Sequence, residues 1–273
     1  MKPLAILLSL VACGVALHAQ TVVLQNGQTS PYQSLTRQGD MLMLTVKSST
    51  GGTGQVGYHV ADVARIDQPL PKEIGYASAL VAQGRFAQAL QTITPVVEQQ
   101  QTLRDIVGND WAQAALVQVS ALAGAQRLDE AKALVAEIGN FSKDPAILNA
   151  VKLQVTLATK FTDPDHALAA YDAILAASNE PLTASQAWLA EGDIHFGRHE
   201  YDSALMAYLT VAVFYPEHNP FLAKALWGAG QSYAKLKDEK NALKTFHQLA
   251  DAFPEAPETT LAKAEIVKKE TPQ

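Results

Sequence analysis

Cysteine is nearly absent from this chain. Its 273 residues hold one, Cys13, inside an apolar N-terminal run. No disulfide, iron–sulfur cluster or cysteine-ligated zinc can form in the remainder. Basic residues are also few. There are 21 Lys and Arg against 27 Asp and Glu, a formal charge of −6, and no basic stripe marks a nucleic-acid surface. Past the N-terminus no apolar stretch approaches the roughly 20 residues of a membrane-spanning helix. Nucleophile motifs are missing: there is no Gly-x-Ser-x-Gly, and no Cys to pair with a His. Gly51-Gly52-Thr53-Gly54 lacks the Lys-Ser/Thr that completes a phosphate loop, so it reads as a hairpin tip. Spacing singles out no carboxylate pair for acid–base work. These absences point away from an enzyme, a catalytic residue, a bound metal or a cofactor. What the chain does have is apolar content, 48%, enough for a sizeable core.

Residues 1–20 read as an export signal. Lys2 gives a positive start, and Leu4 to Val11 is an apolar run too short to span a bilayer. Two processing sites compete. Ala19-Gln20 fits signal peptidase and gives a mature chain starting at Gln20 or Thr21. Leu10-Val11-Ala12-Cys13 matches a bacterial lipobox, which would make Cys13 a lipid-modified first residue and the chain's link to a membrane. Against the second stands Gly14-Val15-Ala16-Leu17, which stays apolar where a lipoprotein carries a polar tether.

Residues 21–69 have strand character. Val22-Val23-Leu24, Met41 to Val46, and Val56 to Val60 are short apolar or alternating runs, and Ala64-Arg65-Ile66 is a last one. Turn signals at Asn26-Gly27, Gly39-Asp40 and Gly51 to Gly54 separate them. Four or five strands in so short a span predict a small barrel. Its shape resembles an SH3-like or Sm-like domain, ending at a stiff junction between Pro69 and Pro71.

Residues 70–270 read differently. Trp188, Gly192, His195, Ala204, Tyr208 and Pro216 recur, each 38 residues later, as Leu226, Gly230, Tyr233, Ala242, Phe246 and Pro254. A constant offset is the mark of a repeat architecture. Ala204 and Tyr208 are one helical step apart on one face, and Pro216 ends the second helix because proline cannot continue the ladder. Each unit is thus a helix hairpin with an apolar face it cannot bury alone. The turn-plus-alanine signal recurs upstream, and the alanines Ala89, Ala131, Ala167, Ala204 and Ala242 lie 42, 36, 37 and 38 apart. Five hairpins follow from about Pro71 to Pro254, then a capping helix near Glu258–Lys269.

These residues resemble the tetratricopeptide repeat (TPR), a helix–turn–helix of about 34 residues. Gly230, Tyr233, Ala242, Phe246, Ala250 and Pro254 fall on its positions, with Leu226 for the first Trp. The preceding unit supplies Trp188, Gly192, Ala204, Tyr208 and Pro216 and departs at His195 and Val211. The extra residues of the 38-residue period are placed in Glu217–Pro220. The resemblance implies a mostly α chain: a solenoid of about five hairpins plus a cap, preceded by the small all-β domain. It also implies a groove lined by the first helix of each hairpin. Carried over, the groove positions are Leu189, Asp193 and Phe196, then Trp227, Gln231 and Lys235. Trp227 and Gln231 stand where members that bind the Hsp90 tail carry Lys and Asn, so that carboxylate clamp is not implied. The A-x-x-x-[FY] step and the ends Phe214-Tyr215-Pro216 and Phe253-Pro254 are similar to repeats of outer-membrane assembly and Tol–Pal-associated proteins. That similarity implies an exported bacterial scaffold holding another envelope protein or peptide. The alternatives are a lipid-anchored assembly component and, without a supporting motif, an enzyme or a metal- or sugar-binding protein.

One cluster has metal-ligand spacing. Glu191, His195 and His199, four apart, would share a face if their helix ran on. However, Gly197-Arg198-His199 belongs to the expected turn, and unwinding there takes His199 off that face. Asp163-Pro164-Asp165-His166 reads as a helix cap.

Overall fold

A computed structural model describes residues 20–48, 51–217 and 220–270. Residues 1–19 of the expected export signal, Cys13 among them, lie outside the described residues, as do His218 and Asn219 of the expected insertion. The chain divides into two compact units. One takes in the described residues up to Gly75 together with Pro95–Trp111, and the other Tyr76–Thr94 with Ala112 onward.

The first unit is built on six short strands: β1 Thr21–Leu24, β2 Thr29–Pro31, β3 Ser34–Gln38, β4 Met41–Lys47, β5 Thr53–His59 and β6 Val63–Asp67. They form two antiparallel three-stranded sheets, ordered β2-β1-β6 and β3-β4-β5. The β1–β2 and β3–β4 turns each need a left-handed residue, which Gly27 (φ 84°) and Gly39 (φ 62°) supply without strain. Thr53 and Gly54 already pair with Lys47 and Val46, so the glycine-rich tip is shorter than the sequence suggests. β2 and β3, which the sequence does not announce, are short and carry no buried residue. Alternation puts Leu42 and Leu44 of β4 inward, where they meet Val22, Leu24 and Ile66.

Leu103 and Ile106 belong to that same core. They come from the stretch after the first hairpin, where the interval between Ala89 and Ala131 is longest. The stretch is tied down by backbone. Ile66 N donates to Val107 O at 2.8 Å, and Gly108, at φ 84°, lies so close to Ile66 O that a side chain there would collide with it. Arg37 donates to Thr102 O at 3.0 Å and pairs with Asp105. A polar chain runs alongside: Tyr32 OH donates to Gln68 at 3.1 Å, and Gln68 donates to Asp110 at 2.6 Å. Burial pushes the Tyr32 hydroxyl up to about 12, helped by Asp110 and Asp67.

Eleven α-helices are found among the described residues. They pair as α1 Lys72–Ala82 with α2 Phe86–Gln100, α3 Trp111–Gly124 with α4 Leu128–Phe141, and α5 Pro145–Ala158 with α6 Pro164–Ala177. Then come α7 Pro181–Gly197 with α8 Tyr201–Phe214, and α9 Leu222–Lys235 with α10 Glu239–Ala252, followed by α11 Pro257–Glu270. The arrangement is a TPR-like α-solenoid of five hairpins and a terminal helix, with the small β unit ahead of it. Sequence chemistry sets the boundaries. Asp144, Asp163 and Glu180 cap α5, α6 and α7 with side-chain oxygens on backbone N–H groups, and each is followed by Pro at the first helical position. The hairpin turns of units one, two, four and five each place one residue in the left-handed region: Gly84, Gln126, His199 and Lys237. The five period-marking alanines are all buried, Ala167 at 4% exposure and the other four at 0%. In the last two hairpins the small size of Ala204 and Ala242 lets α7 and α8, and α9 and α10, approach closely.

Candidate functional site

α7, α8 and α9 meet around one aromatic ring. Tyr208 of α8 is 3% exposed and lies against two glycines. A Cβ on Gly192 of α7 would fall 2.6 Å from its ring, and one on Gly228 of α9 would fall 2.5 Å from it. Two first helices can therefore close on one second helix only because both lack side chains there. Burial raises the Tyr208 hydroxyl well above the ordinary tyrosine value, and the nearby Asp193 carboxylate raises it further. The hydroxyl thus stays protonated and donates to Asp193 at 2.8 Å. Lys224 Nζ of α9 meets the other Asp193 oxygen at 3.0 Å. One carboxylate is thereby held by α8 and α9 together, with its charge balanced.

Above this floor lies a cavity of about 310 Å³ lined by Asp193, Phe196, Tyr208, Lys224, Trp227 and Gln231, among others. Phe196 is braced edge-on by Tyr201, with ring centroids 5.3 Å apart. Trp227 packs on Phe246 at 5.4 Å, so it both lines the cavity and belongs partly to the core of its own hairpin. The result is two aromatic walls, a neutralised ion pair and an amide, with no arrangement of nucleophile and base.

Of the six groove positions carried over from the sequence, Asp193, Phe196, Trp227 and Gln231 come together here. Leu189 does not: it is 4% exposed and packs with Ala204, Val211 and Ala225. Lys235, at the last residue of α9, is exposed and outside the lining. Sequence reasoning gave Tyr208 only a structural place in the repeat and missed Lys224 and Gly228. Lys224 stands three residues before Trp227 and seven before Gln231 on one helical face, a spacing that could have drawn attention to it.

The cluster with metal-ligand spacing does not share a face. His199 is in the turn, at φ 64°, with Nδ1 2.8 Å from Tyr201 OH. His195 Nδ1 lies 2.7 Å from Glu200 Oε2. That hydrogen bond, with Arg198 beside it, holds the Glu200 carboxyl below its usual range. Among the described residues no three His, Cys, Asp or Glu side chains are grouped to hold a metal ion. Among the same residues no helix is long and apolar enough to cross a membrane.

The fold and site define a helical-repeat protein with a groove between successive first helices. No protein-family model and no curated protein sequence matches the chain. Among solved structures it is similar to YrrB, a TPR protein with an unusual peptide-binding site, at a TM-score of 0.40 and 19% identity, over 70% of this chain and 90% of that one. It is also similar to the MamA protein, at a TM-score of 0.36 and 14% identity, over 74% of this chain and 95% of that one.

Proposed function

We propose that this protein is a non-enzymatic scaffold that holds a peptide segment of another protein in the groove between α7 and α9. The observation that carries this reading is the cavity itself. Phe196 and Trp227 offer apolar walls, and Gln231 and the Asp193–Lys224 pair offer a few fixed polar groups on rigid helices. Aromatic anchors beside sparse polar groups suit a protein segment better than a small polar metabolite. The partner is another envelope protein, and the scaffold works in the periplasm or attached to the envelope. That part of the reading is supported by the N-terminal apolar run and its Ala19-Gln20 site. A second reading, a lipid-anchored assembly component, is supported by Leu10-Val11-Ala12-Cys13. The β unit is a small SH3-like domain, a reading supported by two antiparallel sheets around one apolar core.

The test is selection of peptides on the purified protein from a displayed library, followed by affinity measurement on variants. Gln231→Ala and Lys224→Ala change the groove without emptying the core. Removing an anchoring contact should weaken selected peptides by about 1–2 kcal/mol. Peptides that bind every variant equally would place recognition elsewhere on the chain.

A further inference from the structure

A second cavity lies on the other side of α7. Trp188, Glu191 and His195 are three and four residues apart, on a face roughly opposite that of Asp193 and Phe196. With Asp202, Met206 and Thr210 of α8 they border a space of about 370 Å³ that shares no residue with the groove. The lining holds two carboxylates and no lysine or arginine.

Glu191 is the unexpected member. It is 5% exposed, yet its Oε1 has no hydrogen-bond partner and no cation pairs with it. The repeat makes this specific. Thirty-eight residues on, the same position is Ala229, fully buried and apolar. Trp188 and His195 correspond to Leu226 and Tyr233. The fourth unit thus carries a buried acid where the fifth carries a methyl group. Leaving such a group unsatisfied is costly in folding. The groups that face it bring no free positive charge: on α6 Asp172 repels it and the Tyr171 hydroxyl is uncharged, Asp202 on α8 is acidic, and His195 is engaged by Glu200. Burial, with Asp172 second, pushes the Glu191 carboxyl up to about 7.

We propose that this cavity is a binding site for the cationic side chain, ammonium or guanidinium, of a lysine or arginine on a docking protein. The cation would meet Glu191 at the bottom and Asp202 at the rim. Trp188 adds an aromatic wall of the kind that attracts organic cations. The surroundings fit a protein rather than a free amine. Met206 in the lining, and Val213 and Phe214 seven and eight residues further along the same helix, are 67%, 63% and 73% exposed, an apolar surface beside the charged pocket. A partner strand or helix with one basic residue among apolar ones would complement both.

The test titrates the purified protein with three peptides alike except at one central position, flanked by leucines, that carries lysine, arginine or norleucine. Spermidine serves as the free amine. Binding is followed through the Trp188 indole N–H by NMR. Lysine or arginine peptides should give saturable shifts, with norleucine roughly tenfold weaker or more, as expected for a charge-assisted contact. Glu191→Gln should bring the cationic peptides to the norleucine level. Asp202→Asn, at the exposed rim, should weaken them by up to about fivefold. Equal affinity for norleucine, an unchanged Glu191→Gln affinity, or no saturable shift with any peptide overturns the proposal. Saturation by spermidine alone overturns the protein-partner assignment.

Discussion

The ring of Tyr208 occupies the space that a side chain on Gly192 would need, for a Cβ there would stand 2.6 Å from Tyr208 Cε1. Gly230 and Phe246, each 38 residues further on, repeat the relationship. The ring cannot yield toward α9, because Gly228 holds it from the other side. Replacing Gly with Ala in a helix ordinarily gains about 1 kcal/mol of propensity. Here overpacking of roughly 1–3 kcal/mol opposes that gain. Gly192→Ala should therefore lower the denaturation midpoint. Gly139→Ala in α4, with nothing within 4 Å of its Cβ position, should instead stabilise by about 0.5–1 kcal/mol. Equal and positive shifts for both variants would show that Tyr208 does not pack as described.

The segment between the first and second hairpins should behave as part of the β unit's core. Ile106 is 4% exposed and packs with Leu42, Leu44 and Ile66. Ile106→Ala should cost about 2–5 kcal/mol. Amide exchange should then accelerate in β4 and β6 more than in α9 and α10. Uniform acceleration, or none, would contradict the placement of Ile106.

Much of this was legible in the sequence because it rests on local rules. The 38-residue offset follows from which positions must be small, Gly192 with Ala204 and Gly230 with Ala242, and which must be aromatic, Tyr208 and Phe246. Of the three proline-led caps, residue type announced Asp163-Pro164, whereas Asp144-Pro145 and Glu180-Pro181 emerged from the structure. What the sequence hid were relationships between distant segments. Nothing in Leu103 or Ile106 says that they complete a core begun at Val22. Lys224 reads as one more solvated lysine until Asp193 stands 3.0 Å away. Leu189 satisfied the positional rule for the groove, but in this chain the packing of α8 and α9 buries it. Glu191 caught attention for its spacing, whereas what sets it apart is burial without a partner.

Processing of the N-terminus separates the two envelope readings. The Ala19-Gln20 site requires a mature chain beginning at Gln20 or Thr21. Intact-mass measurement of the exported protein should find that species in the aqueous phase of a detergent partition. A species beginning at Cys13 with added acyl mass, in the detergent phase, would instead establish the lipid anchor, since several acyl chains hold firmly where one holds marginally.

The pH dependence of stability should expose Glu191 directly. Its folded-state value, about 7, lies above the ordinary 4.5, so the folded protein binds the proton more tightly than the unfolded chain. The sign follows from linkage: this contribution is fully present below about 4.5 and is lost as pH rises through 7. Glu191→Gln has no proton to lose. Its advantage over the parent protein should be small at pH 4.5, grow through the interval, and level off above about 7, reaching at most about 3 kcal/mol. Denaturation midpoints of both proteins at matched pH values measure the gap. A gap that stays flat across this range would mean that Glu191 ionises as an exposed acid does. The cavity it borders would then contain no buried, unpaired carboxylate.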